Sequence, residues 1–278
     1  MKKIFLALAL VMGVVFEASA QQLMVVHTSD THSCVDPISV NDIKPEQAGK
    51  AGFLRRAACM EELRNRYDNL LLLDCGDFSQ GSVYYNLYKG EVEIKLMNEM
   101  QYDACTIGNH EFDFGLENMA RLFRMAKFPV VCCNYDFSGT PVDGLVKDYI
   151  IKEYAGVRVG ILGIGPQLEG LVAKDSYGQA KYKDPVEAAQ PIVDHLRKQE
   201  KCDLVICLSH LGWQDGAGGD ADFVARTSGI DLLLGGHSHS YFKAPKYVKN
   251  KLGEDIPCDH MGKNGQYLGT FLIDFYSK

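Results

Sequence analysis

The chain has 278 residues, 46% of them hydrophobic, and carries 29 Lys and Arg against 36 Asp and Glu, a formal net charge of −7. That length is near the upper size of one domain and ample for a continuous core. The negative balance argues against a nucleic-acid polymer as partner, because such binding rests on clustered cations neutralising phosphates; an anionic small substrate would need a bound cation to attract it.

At the amino end, Met1-Lys2-Lys3, the apolar stretch Ile4 to Phe16 and Ala18-Ser19-Ala20 form the charged, apolar and small-residue parts of a secretory signal peptide. Its removal would start the mature chain at Gln21. The apolar part is shorter than the ~20 residues a membrane-spanning helix needs. The expectation is therefore an exported protein, periplasmic or extracellular, with no stable membrane insertion.

The first strand is expected in LMVVHTSD, from Leu23 to Asp30, with His27 as a satisfied core histidine. A helix between Gly49 and Asp68, carried by Phe53, Ala57, Met60 and Leu63, leads into a strand from Leu70 to Asp74. A second unit runs from a helical stretch, Tyr84 to Met100, into a strand from Asp103 to Gly108. A third runs from Leu116 to Ala126 into PVVCCN. Such alternation predicts a largely parallel α/β sheet. After residue 140, YIIKEYAGVRVGILGI reads as a hairpin about Ala155-Gly156. A helix from Pro185 to Glu200, a strand from Asp203 to Leu208, a short helix from Ala221 to Thr227 and a strand from Ile230 to Leu234 follow. Gly216 to Gly219 marks a flexible loop, and the segment from Ile256 to Phe275 predicts closing antiparallel strands.

Nine cysteines cannot all pair. Cys75, Cys105, Cys132, Cys133 and Cys207 lie in apolar, strand-like runs and behave as small buried hydrophobes. Cys34, Cys59, Cys202 and Cys258 remain as disulfide candidates. The absence of C-x-x-C argues against a zinc ribbon or a thioredoxin-type site.

The polar residues fall at the carboxyl ends of the apolar runs, the edge where open α/β sheets bind ligands. They are Ser29-Asp30-Thr31-His32, Asp74-Cys75-Gly76-Asp77, Gly108-Asn109-His110-Glu111, Ser209-His210 and Gly236-His237-Ser238-His239. An isolated H-x-H is more often a pair of solvated histidines, but residues i and i+2 of an extended segment share a side and can face one cleft. Imidazole with carboxylate and no thiolate suits zinc, manganese or iron and suits calcium poorly. Asp30, His32, Asp77, Asn109, His210, His237 and His239 exceed what a single four-coordinate ion uses. Two ions sharing a bridging carboxylate account for the surplus. Glu111 is as suited to holding loop backbone as to touching substrate, and Trp213 to packing as to lining the site. His195 and His260 carry no motif.

The motifs D-x-H (Asp30, His32), G-D (Gly76, Asp77), G-N-H-E-F-D (Gly108 to Asp113), His210 in SHLG and G-H-x-H (Gly236 to His239), in this order, resemble those of the calcineurin-like metallophosphoesterase superfamily. Within it the chain is similar to the N-terminal catalytic domain of periplasmic 5'-nucleotidases, over nearly all of residues 21–278. The resemblance implies a four-layer α/β/β/α sandwich with two mixed sheets. It implies one metal on Asp30, His32 and His239 and another on Asn109, His210 and His237, with Asp77 shared. His110 would be the catalytic histidine, stabilising the transition state or protonating the leaving oxygen, and Asp113 would orient it. Asp113 can equally cap the helix that follows. Some 5'-nucleotidases have an amide where His239 stands, so here the chain follows the wider superfamily.

The function so implied is phosphomonoester hydrolysis of a small phosphorylated substrate such as a nucleotide. Two divalent cations polarise the phosphoryl oxygens and lower the pKa of a bridging water for in-line attack. Family 5'-nucleotidases carry a further C-terminal domain that stacks the nucleobase. A chain with a leader over 1–20 and a single catalytic domain over 21–278 is therefore expected to have broader specificity or to be completed by a separate specificity-domain polypeptide. The same centre suits cyclic-nucleotide phosphodiesters or nucleotide sugars, and a scaffold that binds metal without turnover is a further alternative. His110 and Asp113 beside a full ligand set favour hydrolysis.

Overall fold

The structure is a computed structural model and describes residues 21–278 except 43, 155, 215–217 and 276–278; the expected leader and part of the Gly216 to Gly219 loop lie outside the described residues. From the amino end run β1 (Gln21–Thr28), α1 (Phe53–Arg66), β2 (Leu70–Asp74), α2 (Val83–Tyr88), α3 (Glu91–Glu99), β3 (Ala104–Cys105), α4 (Gly115–Met125) and β4 (Val130–Val131). Next come β5 (Tyr135–Asp136), β6 (Val146–Lys147), the hairpin β7 (Tyr149–Tyr154) and β8 (Val157–Ile164), α5 (Lys174–Tyr177), β9 (Lys181–Tyr182), α6 (Pro185–Lys198) and β10 (Leu204–Ser209). The last elements are α7 (Asp220–Arg226), β11 (Leu232–Gly235), β12 (Lys246–Lys249), β13 (Asp255–His260) and β14 (Gly269–Phe275).

Two six-stranded mixed sheets result, in the orders β14-β1-β2-β3-β4-β6 and β12-β13-β11-β10-β8-β7. In the first, β14 alone is antiparallel to its neighbour; in the second, the edge strands β7 and β12 are. The interior strands β2, β10 and β11 are nearly continuous apolar runs because both of their faces are buried. Their side chains split with period two: Leu71 and Leu73 of β2 meet Ile206 and Leu208 of β10 between the sheets, while Leu72 turns outward to Met60, Ile94 and Met119. On the far side, Val205 and Cys207 of β10 meet Ala189, Val193 and Leu196 of α6 and Phe223 of α7. Three apolar interfaces separate four layers, as the resemblance implied. Each fully buried leucine contributes about 1.5–3 kcal/mol by leaving water.

Several expectations are corrected. The helical stretch Tyr84 to Met100 is two helices, broken where Lys89 and Gly90 take φ of 53° and 92°. A Cβ on Gly90 would lie 2.6 Å from Leu122 Cδ1, so the break lets α3 start directly against α4. The closing strands are antiparallel to one neighbour each, β14 to β1 and β13 to β12, but they close different sheets, and β13 also runs parallel to β11. Strand β12 was not foreseen, because its lysine-rich, exposed sequence has the composition of a solvated edge. All nine cysteines are free, including Cys34, Cys59, Cys202 and Cys258. Cys202 and Cys258 are packed as small hydrophobes in the layer under α6, and Cys59 is exposed on α1.

Candidate metal centre

Strand register brings the carboxyl ends of the parallel strands level. Thr28 of β1 pairs with Asp74 of β2 and Asp74 with Cys105 of β3; in the other sheet Ser209 of β10 pairs with Gly235 of β11. Loops leaving these ends meet across the seam between the sheets. The first sheet delivers Asp30, His32, Asp77, Asn109 and His110; the second delivers His210, His237 and His239.

Every candidate ligand named from the sequence is brought to this seam, Asn109 immediately before His110, whose N–H donates to Asp77 Oδ1. Asp30, His32 and His239 present ligand atoms that all lie within 4.8 Å of one another, and so do Asp77, His210 and His237. Asp77 is also within that reach of His32 and His110, which places it between the two groups. Asp30 Oδ1 lies 3.9 Å from His32 Nε2, 3.6 Å from His239 Nε2 and 3.8 Å from His210 Nε2. His210 Nε2 is 3.0 Å from Asp77 Oδ2, while its Nδ1 is 2.6 Å from the Cys75 carbonyl oxygen, so the ring is oriented from behind.

The backbone is bent to make this convergence. Asp30, His32, Asp77, His237 and His239 have φ of 49°, 44°, 54°, 72° and 53°, all left-handed. Such conformations cost on the order of 1 kcal/mol each for residues with a Cβ and cluster where side chains must be aimed at a ligand. The glycines of the motifs provide clearance. A Cβ on Gly108 would come 2.2 Å from Asp77 Oδ1, and one on Gly236 would come 2.9 Å from both Asp30 Oδ2 and His210 Nδ1.

The donor set fits divalent cations. His32 Nε2 and His239 Nε2 face each other at 2.9 Å. Asn109 Oδ1 is buried without a hydrogen-bond partner, which is costly unless a ligand meets it. Burial pushes the Asp30 carboxyl up to about 6, against the opposing charge of His210. Burial acts on Asp77 in the same sense, but the His210 charge overrides it and holds Asp77 well below the usual carboxylate range. His210 is pulled up to about 10, the Asp77 charge outweighing burial. Burial pushes His32 and His237 down to about 4, keeping both neutral. His239 is also lowered, by burial and then by the charge of Lys263.

His110 stands beside this group, its ring centroid 5.4 Å from that of His32. Its Nδ1 is 2.9 Å from Asp113 Oδ2. Burial works to lower its pKa, but the Asp113 hydrogen bond and the Asp77 charge raise it overall. The helix-capping alternative for Asp113 is not realised, since Phe114 takes the cap position of α4 without a side-chain cap. Glu111 holds backbone: it accepts from the N–H groups of Asp77 (3.0 Å), Gly108 (2.7 Å) and Ser79 (3.2 Å). Trp213 packs edge-on against Phe242, with ring centroids 5.0 Å apart.

Some supporting residues carried no motif. His260 Nε2 lies 2.7 Å from Asp220 Oδ2, and Asp220 in turn accepts from Ser209, the residue before His210. His27 Nε2 is 3.1 Å from Asp259 Oδ2, a buried tie between β1 and β13 and thus between the sheets. The one available signal was the Asp259-His260 dipeptide at the end of an apolar strand. A cavity of about 580 Å³ lined by Lys50, Arg55, Leu63 and Tyr267 holds none of the candidate ligands.

Comparison with known proteins accords with this geometry. The sequence profile of the calcineurin-like phosphoesterase family matches residues 23–241. The chain is 30% identical to the 5'-nucleotidase of Homo sapiens over 277 residues, covering 93% of this chain and 47% of that protein. It superposes on the 5'-nucleotidase precursor of Thermus thermophilus with a TM-score of 0.82 at 32% identity, covering 91% of this chain and 51% of that one. For the calcineurin-like phosphoesterase YfkN of Bacillus subtilis the TM-score is 0.77 at 28% identity, covering 93% and 86%. The chain spans about half the length of the curated relatives it matches. No helix among the described residues is long and apolar enough to cross a membrane. With the profile spanning most of the chain and its motif residues gathered at one seam, the chain belongs to the calcineurin-like phosphoesterase family.

Proposed function

We propose that this protein is a metal-dependent phosphomonoester hydrolase acting on nucleotides, with Asp30, His32 and His239 on one cation, Asn109, His210 and His237 on the other, and Asp77 between them. The carrying observation is the pair of three-residue groups at the sheet seam with Asp77 in reach of both. Two divalent cations bound there would supply the positive charge and Lewis acidity that attack on a phosphate dianion requires. Zinc, manganese or iron matches the mixed imidazole and carboxylate donors.

The chain's own groups do the rest. Asp113 holds His110 at Nδ1, which leaves Nε2 to face the reacting group. With its proton affinity raised, His110 is suited to carry a proton near neutral pH and pass it to the departing alkoxide. Glu111 keeps the Asp77 and Asn109 loops in register by its three backbone contacts. Nucleotide substrates rest on the names of the relatives, 5'-nucleotidases at about 30% identity. Export is part of the reading, on the pattern of residues 1–20, as is a catalytic domain over 21–278.

The test is phosphate release by the purified protein, stripped of metal and reloaded with manganese, zinc or iron. Nucleoside monophosphates, a cyclic nucleotide, a nucleotide sugar and an aryl phosphate form the panel. Metal-restored release from nucleoside monophosphates is expected. Release from the aryl ester alone would retain the chemistry and remove nucleotide selectivity from this chain; release from none would favour a metal-binding scaffold.

A further inference from the structure

We propose that Lys263 is a phosphate-binding residue of the metal centre, its ammonium meeting the anionic group of the substrate from the His239 side. The inference rests on the hydrolase reading and adds to it a residue outside every motif of the sequence.

Lys263 lies between β13 and β14 in a segment clamped to both ligand-bearing loops. The Gly262 N–H donates to the Ser240 carbonyl at 2.8 Å, just after the H-S-H loop, and the Asn264 N–H donates to the Asp30 carbonyl at 2.7 Å. Met261 forms a bridge with Tyr241 on the same side. Gly262, Asn264 and Gly265 take φ of 73°, 61° and 60°, so a left-handed turn surrounds Lys263. At Asn264 that conformation has a steric cost, and the bond to Asp30 offsets it. The lysine is thus fixed at the rim by its neighbours rather than carried on a free loop.

Lys263 as a residue is half-buried and, among the described residues, its side chain makes neither an ion pair nor a hydrogen bond, whereas Lys152, half-buried like it, pairs with Asp103 at 2.9 Å. An ammonium with no protein partner has all its donors available to an anionic ligand. Its charge acts on His239, which puts the ammonium on that side of the centre. The proposed ligand set contains only two carboxylates, Asp30 and Asp77, so two divalent cations would be left under-neutralised, and Lys263 increases the excess. A dianionic phosphate monoester offsets more of this excess than a singly charged diester does. Lys263 therefore selects for the more highly charged phosphate.

The experiment measures inorganic phosphate binding by calorimetry to the metal-reloaded parent protein and to its Lys263→Gln and Lys263→Arg variants. Metal content is assayed in each, and kcat/KM is measured for a phosphomonoester and a phosphodiester. Lys263→Gln should bind phosphate about tenfold more weakly or worse, with unchanged metal content and a reduced monoester-to-diester ratio, and Lys263→Arg should restore most of the affinity. Phosphate binding by Lys263→Gln within about twofold of the parent would overturn the proposal. So would a loss of metal in step with phosphate, which would assign Lys263 to holding the ligand loops. Lys263-dependent phosphate binding without hydrolysis of any ester would instead overturn the hydrolase reading and leave this inference standing.

Discussion

His32 Nε2 and His239 Nε2 face each other at 2.9 Å from loops 207 residues apart in the chain. One shared proton can satisfy the pair in the absence of metal, and one cation can take both lone pairs when metal is supplied. Removing either imidazole should therefore cost one ion and removing the shared carboxylate should weaken both. His239→Ala is expected to lower bound metal after dialysis by about one ion per chain, and Asp77→Asn by about two. Full metal retention in His239→Ala would take that side chain out of the ligand set.

His110 should separate from the ligands by its phenotype. His110→Ala is expected to keep its metal content and lose about 10²–10⁴-fold in kcat, the usual contribution of a positioned acid. Because the Asp113 hydrogen bond raises the His110 pKa, and a general acid stops working as pH rises through its pKa, Asp113→Asn should move the alkaline limb of the pH–rate profile to lower pH. An unmoved limb would show that Asp113 does not act through His110.

Metal loading should release protons. In the metal-stripped protein His210 is held up to about 10 by Asp77 and so carries a proton at neutral pH, yet it can bind a cation only when neutral. Titration of zinc at pH 7 should release about one proton per chain, measurable as a dependence of the calorimetric heat on buffer ionisation enthalpy. Apparent affinity should rise with pH through the neutral range. It should fall further below about 6, where Asp30 also takes up a proton. Heats independent of buffer would contradict the assignment of His210 as a ligand.

Glu111→Ala would leave the buried N–H groups of Asp77, Ser79 and Gly108 without their acceptor. Unsatisfied buried donors cost about 1–3 kcal/mol each, so a loss of about 3 kcal/mol or more in unfolding free energy is expected. Denaturant unfolding of the metal-free variant measures this apart from metal binding. A variant as stable as its parent would mean that water replaces the carboxylate.

Much of the fold was written locally. Leu70 to Asp74 is a strand at the bounds its composition predicts, and the helices about Met60, Met119 and Val193 follow their apolar spacing. Where local and tertiary demands differ, the expectation failed. The helical stretch through Lys89 breaks because Gly90 must pass close to Leu122, and β12 is a strand because β13 offers an edge beside it. Cys202 and Cys258 are identical in kind to paired cysteines, and only the packing around them shows that they are buried thiols.

Residue types and short spacings set which chemistry is available: imidazoles, carboxylates and an amide at the ends of apolar runs, with glycines where the backbone must pass close to a side chain. Those are properties of residue type and short spacing, which the chain carries unfolded. Folding brings Asp30 and His210, from different sheets, within 3.8 Å, sets Asp77 between two groups of candidate ligands and clamps the backbone on either side of Lys263 beside them. Such placements depend on how two separately twisted sheets dock through a shared apolar layer, and no short stretch of sequence contains that contact.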